Sequence, residues 1–183
     1  RDRLRSRGLG DVYKRQTINN TLTAALATIK ENNDIQFIWQ TGKYYYPQVT
    51  EAVRAAGELP NLYVTDFIKD MAAAYAASDL VISRAGAGSI SEFCLLHKPV
   101  VLVPSPNVAE DHQTKNALAL VDKQAAIYVK DSEAEAKLMD VALNTVADDR
   151  KLKELSENIA KLALPDSARI IAQEVIKLAE AEN

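Results

Sequence analysis

The segment SRAGAGSISE, residues 83–92, combines residue types that suit a phosphorylated ligand. Gly86 and Gly88 allow close approach of the backbone, and the free amides at the start of the following helix favour an anion. Ser89 adds a hydroxyl group. Glu92 lies one helical turn later, where its carboxylate could accept hydrogen bonds from a vicinal diol such as a ribose. The alternative is a tight turn followed by a favourable acid near the helix start.

The spacing of these glycines excludes two familiar nucleotide-binding motifs. A dinucleotide-binding GxGxxG motif needs a third glycine where Ser91 stands, and no acidic residue ends the next predicted strand at Val103-Pro104. The lysine and hydroxyl residue of a P-loop do not follow either. The segment therefore predicts a nucleotide-type phosphate site of another class.

Two further segments place suitable side chains at predicted strand ends. His112 and Gln113 lie in EDHQTKNA, residues 110–117, whose polar side chains suit sugar hydroxyls; a solvated helix cap is the alternative for His112. Phe67 and Met71 lie in VTDFIKDM, residues 64–71, and could clamp a flat base while the backbone of Ile68 reads its edge. Core packing is the alternative for Phe67 and Met71.

The remaining candidates favour structural roles. The glycine of QTGK, residues 40–43, suits a binding loop or a simple turn equally well. Trp39 and His97 are interpreted as structural residues. The single cysteine, Cys94, lies in an apolar run and is interpreted as a small buried hydrophobic residue. The two histidines are far apart in sequence and no paired acidic motif follows a strand, so the sequence predicts no metal site.

Length and composition predict one globular domain. The chain has 183 residues, of which 48% are hydrophobic and 26% are charged. No apolar run approaches the roughly 18–20 residues that a membrane-spanning helix needs. Residues 1–16 hold six Lys or Arg and two Asp, whereas the whole chain has a net charge of −3. We interpret residues 1–16 as a non-native segment that stems from cloning, assembly or a reading-frame error, with a genuine basic tail as the alternative. Residues 17–183 are interpreted as the folded domain.

The pattern from Thr17 onward alternates helical and strand-like stretches, which predicts an α/β fold with a doubly wound parallel sheet. The predicted strands cover 35–39, 62–67, 79–83, 100–104 and 125–129, with helices between them. The last third is helical. Its predicted apolar stripes are Leu152, Leu155, Ile159 and Leu162 in one helix, and Ile171, Val175 and Leu178 on the inner face of the next.

From Thr17 to its end, the chain resembles the donor-binding half of the MurG-type glycosyltransferases, which act in bacterial peptidoglycan synthesis. The resemblance rests on the order of QTGK, VTDFIKDMAAAYAASDLVISRAGAGSISE, KPVVLVPSPNVAEDHQTKNA and the helical tail after LPD. It implies a Rossmann-like C-terminal domain of the two-lobed GT-B fold. It also implies that the domain's first strand is missing or replaced.

The resemblance implies a role for each matching position. The backbone of Ile68 reads uracil beside Phe67 and Met71, and Glu92 binds the ribose hydroxyls. The segment from Ala87 to Ser91 surrounds the diphosphate and sugar, while Gln113 and His112 address the N-acetylglucosamine hydroxyls. The predicted donor-binding set is Phe67, Ile68, Met71, Arg84, Ala87, Gly88, Ser89, Ile90, Ser91, Glu92, His112 and Gln113.

The activity that the resemblance implies is an inverting, metal-independent transfer that uses no cofactor. N-acetylglucosamine would move from UDP to the C4 hydroxyl of the muramyl sugar of lipid I, which yields lipid II. The helix start at Gly86 to Ser89 would stabilise the charge on the UDP leaving group. The implied location is the cytoplasm, peripheral on the inner face of the plasma membrane. Nucleic acid is not an expected partner.

The chain also departs from the family pattern. The family has a first strand and a GGS-x-GA loop where this chain has RGLGDVYKRQ, and the acceptor-binding half has no counterpart here. We therefore expect a truncated donor domain that holds no catalytic residue, is inactive alone and binds UDP-N-acetylglucosamine weakly. Lipid I and the membrane would be contacted through the missing half. The alternatives are another GT-B nucleotide-sugar enzyme, such as a different transferase or a UDP-N-acetylglucosamine 2-epimerase, and a non-enzymatic partner-binding module.

Overall fold

The computed structural model describes residues 15–106 and 111–181, in which helices and short strands alternate. The elements in chain order are α1 (15–24), α2 (Leu26–Glu31), β1 (Phe37–Gln40), α3 (Tyr46–Ala56), β2 (Leu62–Thr65), α4 (Met71–Ala77), β3 (Val81–Ser83), α5 (Ala87–Leu95), β4 (Val100–Leu102), α6 (His112–Val121), β5 (Ile127–Tyr128), a 3₁₀ turn (Asp131–Glu133), α7 (Ala134–Val146), α8 (Asp149–Ala160) and α9 (Ser167–Ala181).

Helix α1 includes Arg15 and Gln16, two residues that the sequence assigns to the basic tail. The Arg15 side chain lies so close to Gly42 that a Cβ atom added at this glycine would be 2.6 Å from Arg15 Nη1. These two residues are therefore part of the fold. The rest of the predicted tail, residues 1–14, lies outside the described residues.

The strands form two parallel sheets. One joins β1 to β2, with Phe37 opposite Leu62, and the other has the order β3-β4-β5. These orders correspond to positions 3-2 and 4-5-6 of the doubly wound order 3-2-1-4-5-6. No strand of the described residues occupies position 1, which would lie between β1 and β3.

Helices cover both faces of strand β4, as in a doubly wound sheet. Val100 and Leu102 pack against α5, α6 and α8, whereas Val101 and Val103 pack against α1 and α7, and all four are fully buried. A strand covered on both faces needs apolar residues at every position, which explains the continuous run VVLV. The predicted fold class is confirmed.

Helix α1 connects the two sheets. Its Asn19 side chain donates to the Thr41 carbonyl oxygen at 3.0 Å and accepts from Trp39 Nε1 at 2.9 Å, both at the end of β1. Its Ile18 packs instead against the apolar cluster beside β3 and β4. Trp39 is buried, so its predicted structural role is confirmed.

The two C-terminal helices differ in how they pack. In α8, Leu155 and Ile159 are fully buried, as their spacing predicts, and Leu152 is half-buried. Leu162, predicted in the same helix, lies beyond its end at Ala160 and packs against the core from there. In α9, Ile171, Val175 and Leu178 are 63%, 60% and 69% exposed, so the prediction that they face inward is wrong. Periodicity predicts a helix with an apolar face, but it does not specify a neighbour that covers this face.

Candidate functional site

The start of α5 is open in the way that an anion site requires. Gly86 precedes the helix in extended backbone (φ −72°, ψ 139°), and no side chain caps the helix end. Within the described residues, no hydrogen-bond acceptor is found for the amides of Ala87, Gly88 and Ser89. A Cβ atom added at Gly88 would meet nothing within 4 Å. There is thus room beside Gly88, and these three amides can donate to a bound anion.

Glu92 follows on the next turn of α5 and is exposed. Its Oε2 accepts a hydrogen bond from the Tyr75 hydroxyl on α4 at 3.2 Å. Partial burial of the phenol, together with the charge of Glu92 and this hydrogen bond, raises the pKa of Tyr75 to about 12. The phenol therefore remains a hydrogen-bond donor throughout the neutral range.

The loop after β2 presents the predicted base-binding residues. Phe67 is 59% exposed, which argues against the core-packing alternative for this side chain, while Met71 is half-buried. The amide of Ile68 donates to Gln40 Oε1 at 2.9 Å. Met71 and Tyr75 are four residues apart on α4 and thus share one face of the helix. This helix connects the predicted base-binding loop to Glu92.

The loops after β3 and β4 are joined by the first turns of α6. Gln113 Oε1 accepts from the Ser105 amide at 2.9 Å, and Asn116 Nδ2 donates to the Ala85 carbonyl oxygen at 3.2 Å. The side-chain amide group of Gln113 is thereby held at the end of β4. His112 is exposed at the first position of α6, after Asp111 in the left-handed conformation (φ 54°).

Arg84 differs from the other predicted donor-binding residues because it lies beneath the loops. Its guanidinium group forms an ion pair with Asp131, and its Nη1 also donates to the carbonyl oxygens of Val103 at 2.9 Å and Pro104 at 3.3 Å. Asp131 Oδ2 accepts from Thr17 Oγ1 at 3.0 Å. Arg84 therefore links the ends of β3 and β4 to α1 and to the 3₁₀ turn.

The hydroxyl groups of the segment differ in their availability. Ser91 Oγ donates back to the Ala87 carbonyl oxygen at 3.0 Å within α5. Ser89 has a partly exposed side chain at the open helix start. Of the two, Ser89 is thus better placed for a ligand at the amides, while the contact predicted for Ser91 stays a prediction.

Other sequence candidates have structural environments. Gly42 has a φ of 80°, a conformation that glycine adopts readily in a turn, and it contacts Arg15. Cys94 is buried as predicted, and burial raises the pKa of its thiol. His97 lies just before β4, at the end of the sheet opposite to the start of α5. Its carbonyl oxygen accepts a hydrogen bond from Ser156 Oγ at 2.8 Å.

Sequence reasoning missed Gln40, Tyr75 and Asp131 as residues that shape the site. Gln40 is the polar last residue of an apolar strand, two residues before Gly42, and Tyr75 is a lone aromatic residue in an alanine-rich helix. Each of these features could have pointed to the residue from the amino-acid sequence alone. Asp131 had none, because its partner Arg84 is 47 residues away in the chain.

Two further properties concern the described part of the chain as a whole. Every helix within residues 15–106 and 111–181 is too short or too polar to span a bilayer. In the same ranges, no three His, Cys, Asp or Glu side chains come together as a group that could hold a metal ion.

Comparisons with known proteins identify the family. The model of the glycosyltransferase family 28 C-terminal domain matches residues 14–171. The UDP-N-acetylglucosamine--N-acetylmuramyl-(pentapeptide) pyrophosphoryl-undecaprenol N-acetylglucosamine transferase of Bacteroides thetaiotaomicron is 99% identical over 168 residues, which are 92% of this chain and 45% of that protein. The transferase of the same name from Bacteroides fragilis is 77% identical over 172 residues, 94% of this chain and 45% of that protein.

A solved structure supports the same assignment. The crystal structure of Acinetobacter baumannii MurG superposes with a TM-score of 0.74 and 26% sequence identity, covering 90% of this chain and 49% of that chain. The chain spans about half the length of the curated relatives that it matches. Since the family model covers most of the residues, the chain belongs to glycosyltransferase family 28 and corresponds to its C-terminal domain.

Proposed function

We propose that this chain forms the donor-binding domain of an enzyme that transfers N-acetylglucosamine from UDP-N-acetylglucosamine to lipid I, which produces lipid II. The observation that carries the proposal is the open start of α5, with the Glu92 carboxylate one turn later, in a member of glycosyltransferase family 28. The names of the relatives support the identity of the transferred sugar and of the acceptor.

The diphosphate of the donor binds at the amides of Ala87, Gly88 and Ser89. Three backbone donors and the positive end of the helix dipole suit a doubly charged group. The same groups stabilise the charge that develops on UDP when the bond to the sugar breaks, since fixed dipoles need little reorganisation during the reaction. The helix start thus serves both donor binding and departure of the leaving group.

The nucleoside and the sugar bind on either side of the diphosphate. Glu92 accepts hydrogen bonds from the ribose hydroxyls, and the Ile68 backbone reads uracil beside Phe67 and Met71. His112 and the side-chain amide of Gln113 contact the hydroxyl groups of N-acetylglucosamine; the Gln113 amide is held in place by the Ser105 amide. Arg84 acts from beneath, by holding the strand ends that carry these loops.

The remaining steps belong to the part of the longer relatives that this chain does not cover. We assign the general base, the lipid I site and the contact with the inner face of the plasma membrane to that part. The 183-residue chain alone is accordingly expected to bind donor without transferring sugar.

Titration calorimetry with UDP tests the proposal. The chain is expected to bind UDP, and Glu92→Ala is expected to weaken binding about 10- to 100-fold, because hydrogen bonds to a charged group are lost. Glu157→Ala is the matched control, since Glu157 is an exposed glutamate on α8 whose ion pair with Lys153 is 3.8 Å long. A folded chain that does not bind UDP would contradict the proposal.

Donor specificity separates the proposal from other nucleotide-sugar enzymes. UDP-N-acetylglucosamine is expected to bind more tightly than UDP-glucose. The two donors differ only in the substituent at C2 of the sugar, so the difference in affinity measures recognition of the N-acetyl group and not of the shared hydroxyl groups. Equal affinity for the two sugars would favour another enzyme of this fold. A partner-binding module would bind neither sugar nucleotide.

A further inference from the structure

The environment of Glu92 suggests a role for Tyr75. Glu92 is an exposed carboxylate on a helix surface, and such a side chain ordinarily samples several rotamers in water. Here one of its oxygens, Oε2, accepts the hydroxyl of Tyr75 at 3.2 Å. This hydrogen bond restricts the orientation of the carboxylate.

Tyr75 is itself held by the core. Its ring packs edge-on against the ring of Phe93, with centroids 5.8 Å apart and planes at 88°. Phe93 is fully buried between α5 and the sheet. The phenol hydroxyl is therefore presented to Glu92 by a ring that has a fixed partner in the interior.

A carboxylate that accepts one hydrogen bond from Tyr75 still has several lone-pair positions available. An ionised carboxyl group offers about four acceptor positions over its two oxygens. A vicinal diol needs two of these positions. The Tyr75 bond is therefore compatible with ribose binding, and it lowers the entropy that Glu92 must lose when the diol binds.

We propose that Tyr75 is a positioning residue that holds Glu92 in the orientation that accepts the ribose diol, so that the pair selects ribonucleotides over dideoxyribonucleotides. This inference rests on the proposed function of the donor site and assigns a residue to its sugar selectivity. Tyr75 acts through Glu92 and needs no contact with the nucleotide.

The test compares UDP with 2′,3′-dideoxy-UDP by calorimetry, using the 183-residue chain. Tyr75→Phe is expected to weaken UDP binding about 5- to 10-fold and to leave dideoxy-UDP binding within about twofold, because only the diol uses the oriented carboxylate. Tyr63→Phe is the matched control, since Tyr63 on β2 is 63% exposed and lies outside the proposed site. This control should bind both nucleotides as the unchanged chain does.

A double-mutant cycle with Glu92→Ala isolates the positioning role, because alanine removes the oxygen that accepts the Tyr75 hydroxyl. If Tyr75 acts through Glu92, Tyr75→Phe should have no further effect once Glu92 is Ala, so the two effects on UDP binding should not add. Three results would overturn the inference: unchanged UDP affinity in Tyr75→Phe, equal losses for the two nucleotides, or additive effects of the two substitutions.

The outcomes also separate this inference from the proposed function. If the unchanged chain fails to bind UDP, the proposed donor site is wrong and the role of Tyr75 is wrong with it. If the unchanged chain binds UDP and Glu92→Ala weakens binding, but Tyr75→Phe does not discriminate between the nucleotides, then only the role of Tyr75 is wrong.

Discussion

The side-chain carbonyl oxygen of Gln40 accepts a hydrogen bond from the backbone amide of Ile68 at 2.9 Å. This bond joins the end of β1 to the loop that follows β2. The Ile68 amide is therefore already engaged within the protein. The carbonyl oxygen of Ile68 is the backbone group of this residue that can accept the N3 proton of a uracil base.

Replacing Gln40 by leucine tests the contribution of this bond. Gln40→Leu leaves the half-buried Ile68 amide without its acceptor and should lower the free energy of unfolding by about 1–2 kcal/mol. Gln48→Leu, at an exposed position of α3, should change it by less than about 0.5 kcal/mol. Urea denaturation measures both changes. Equal free energies of unfolding for Gln40→Leu and Gln48→Leu would show that the bond from Ile68 to Gln40 does not stabilise the protein.

Gly88→Ala separates ligand binding from folding. An added methyl group meets no protein atom within 4 Å, and alanine is a better helix former than glycine. Stability should therefore stay unchanged or rise by up to about 1 kcal/mol. The methyl group would take up room beside the Gly88 amide, where the proposed diphosphate binds, so UDP affinity should fall at least about tenfold. Undiminished affinity in calorimetry would place the diphosphate elsewhere.

The ion pair between Arg84 and Asp131 should matter for stability, since the two side chains are only 13% and 19% exposed. Arg84→Met should lower the free energy of unfolding by about 2–4 kcal/mol, because it removes the positive charge beside Asp131 and the donor to two strand-end carbonyl groups. Arg54→Met is the matched control. Its pair with Glu51 is 78% and 65% exposed, which predicts a loss below about 1 kcal/mol. Similar losses in the two variants would contradict a structural role for Arg84.

The raised pKa of Tyr75 predicts a pH dependence at high pH. The folded protein retains the phenol proton up to about pH 12, whereas the unfolded chain releases it near the ordinary value of 10.0. The folded state thus binds more protons between these values, and stability falls as the pH rises through this window. Tyr75→Phe should lose less stability than the unchanged chain there. Urea denaturation below and above pH 10 measures the free energy of unfolding of both proteins. An equal change with pH in the two would exclude the effect.

Much of the fold could be predicted from local sequence signals. Helix α4 (Met71–Ala77) begins after the capping residue Asp70 and is filled by alanine, and both are local helix signals. Helix α3 ends at Gly57, whose φ of 87° is one that glycine readily adopts. The strands are shorter than their apolar runs, since the runs continue into buried loop residues such as Val103.

The candidate site was predictable in its loops but not in its internal contacts. Glycine and serine at the start of α5 carry a local signal for an anion, and Glu92 follows by helical spacing. The contacts of Gln40 with Ile68 and of Tyr75 with Glu92 join separate elements, and no local pattern encodes such pairs. The exposed face of α9 was missed for the same reason, because periodicity describes one helix and says nothing about its neighbours.

The hydrogen bond between Thr17 and Asp131 has a consequence for the order of folding. Every strand pairing in the two sheets joins strands that are consecutive in the chain, so each pairing closes a loop of moderate length. The contact between Thr17 and Asp131 spans 114 residues, and its loop-closure entropy is larger. Contacts of low sequence separation form at a smaller entropic cost before distant ones. We therefore expect the attachment of α1 to the 3₁₀ turn to come late in folding and to fasten an already assembled β3-β4-β5 sheet.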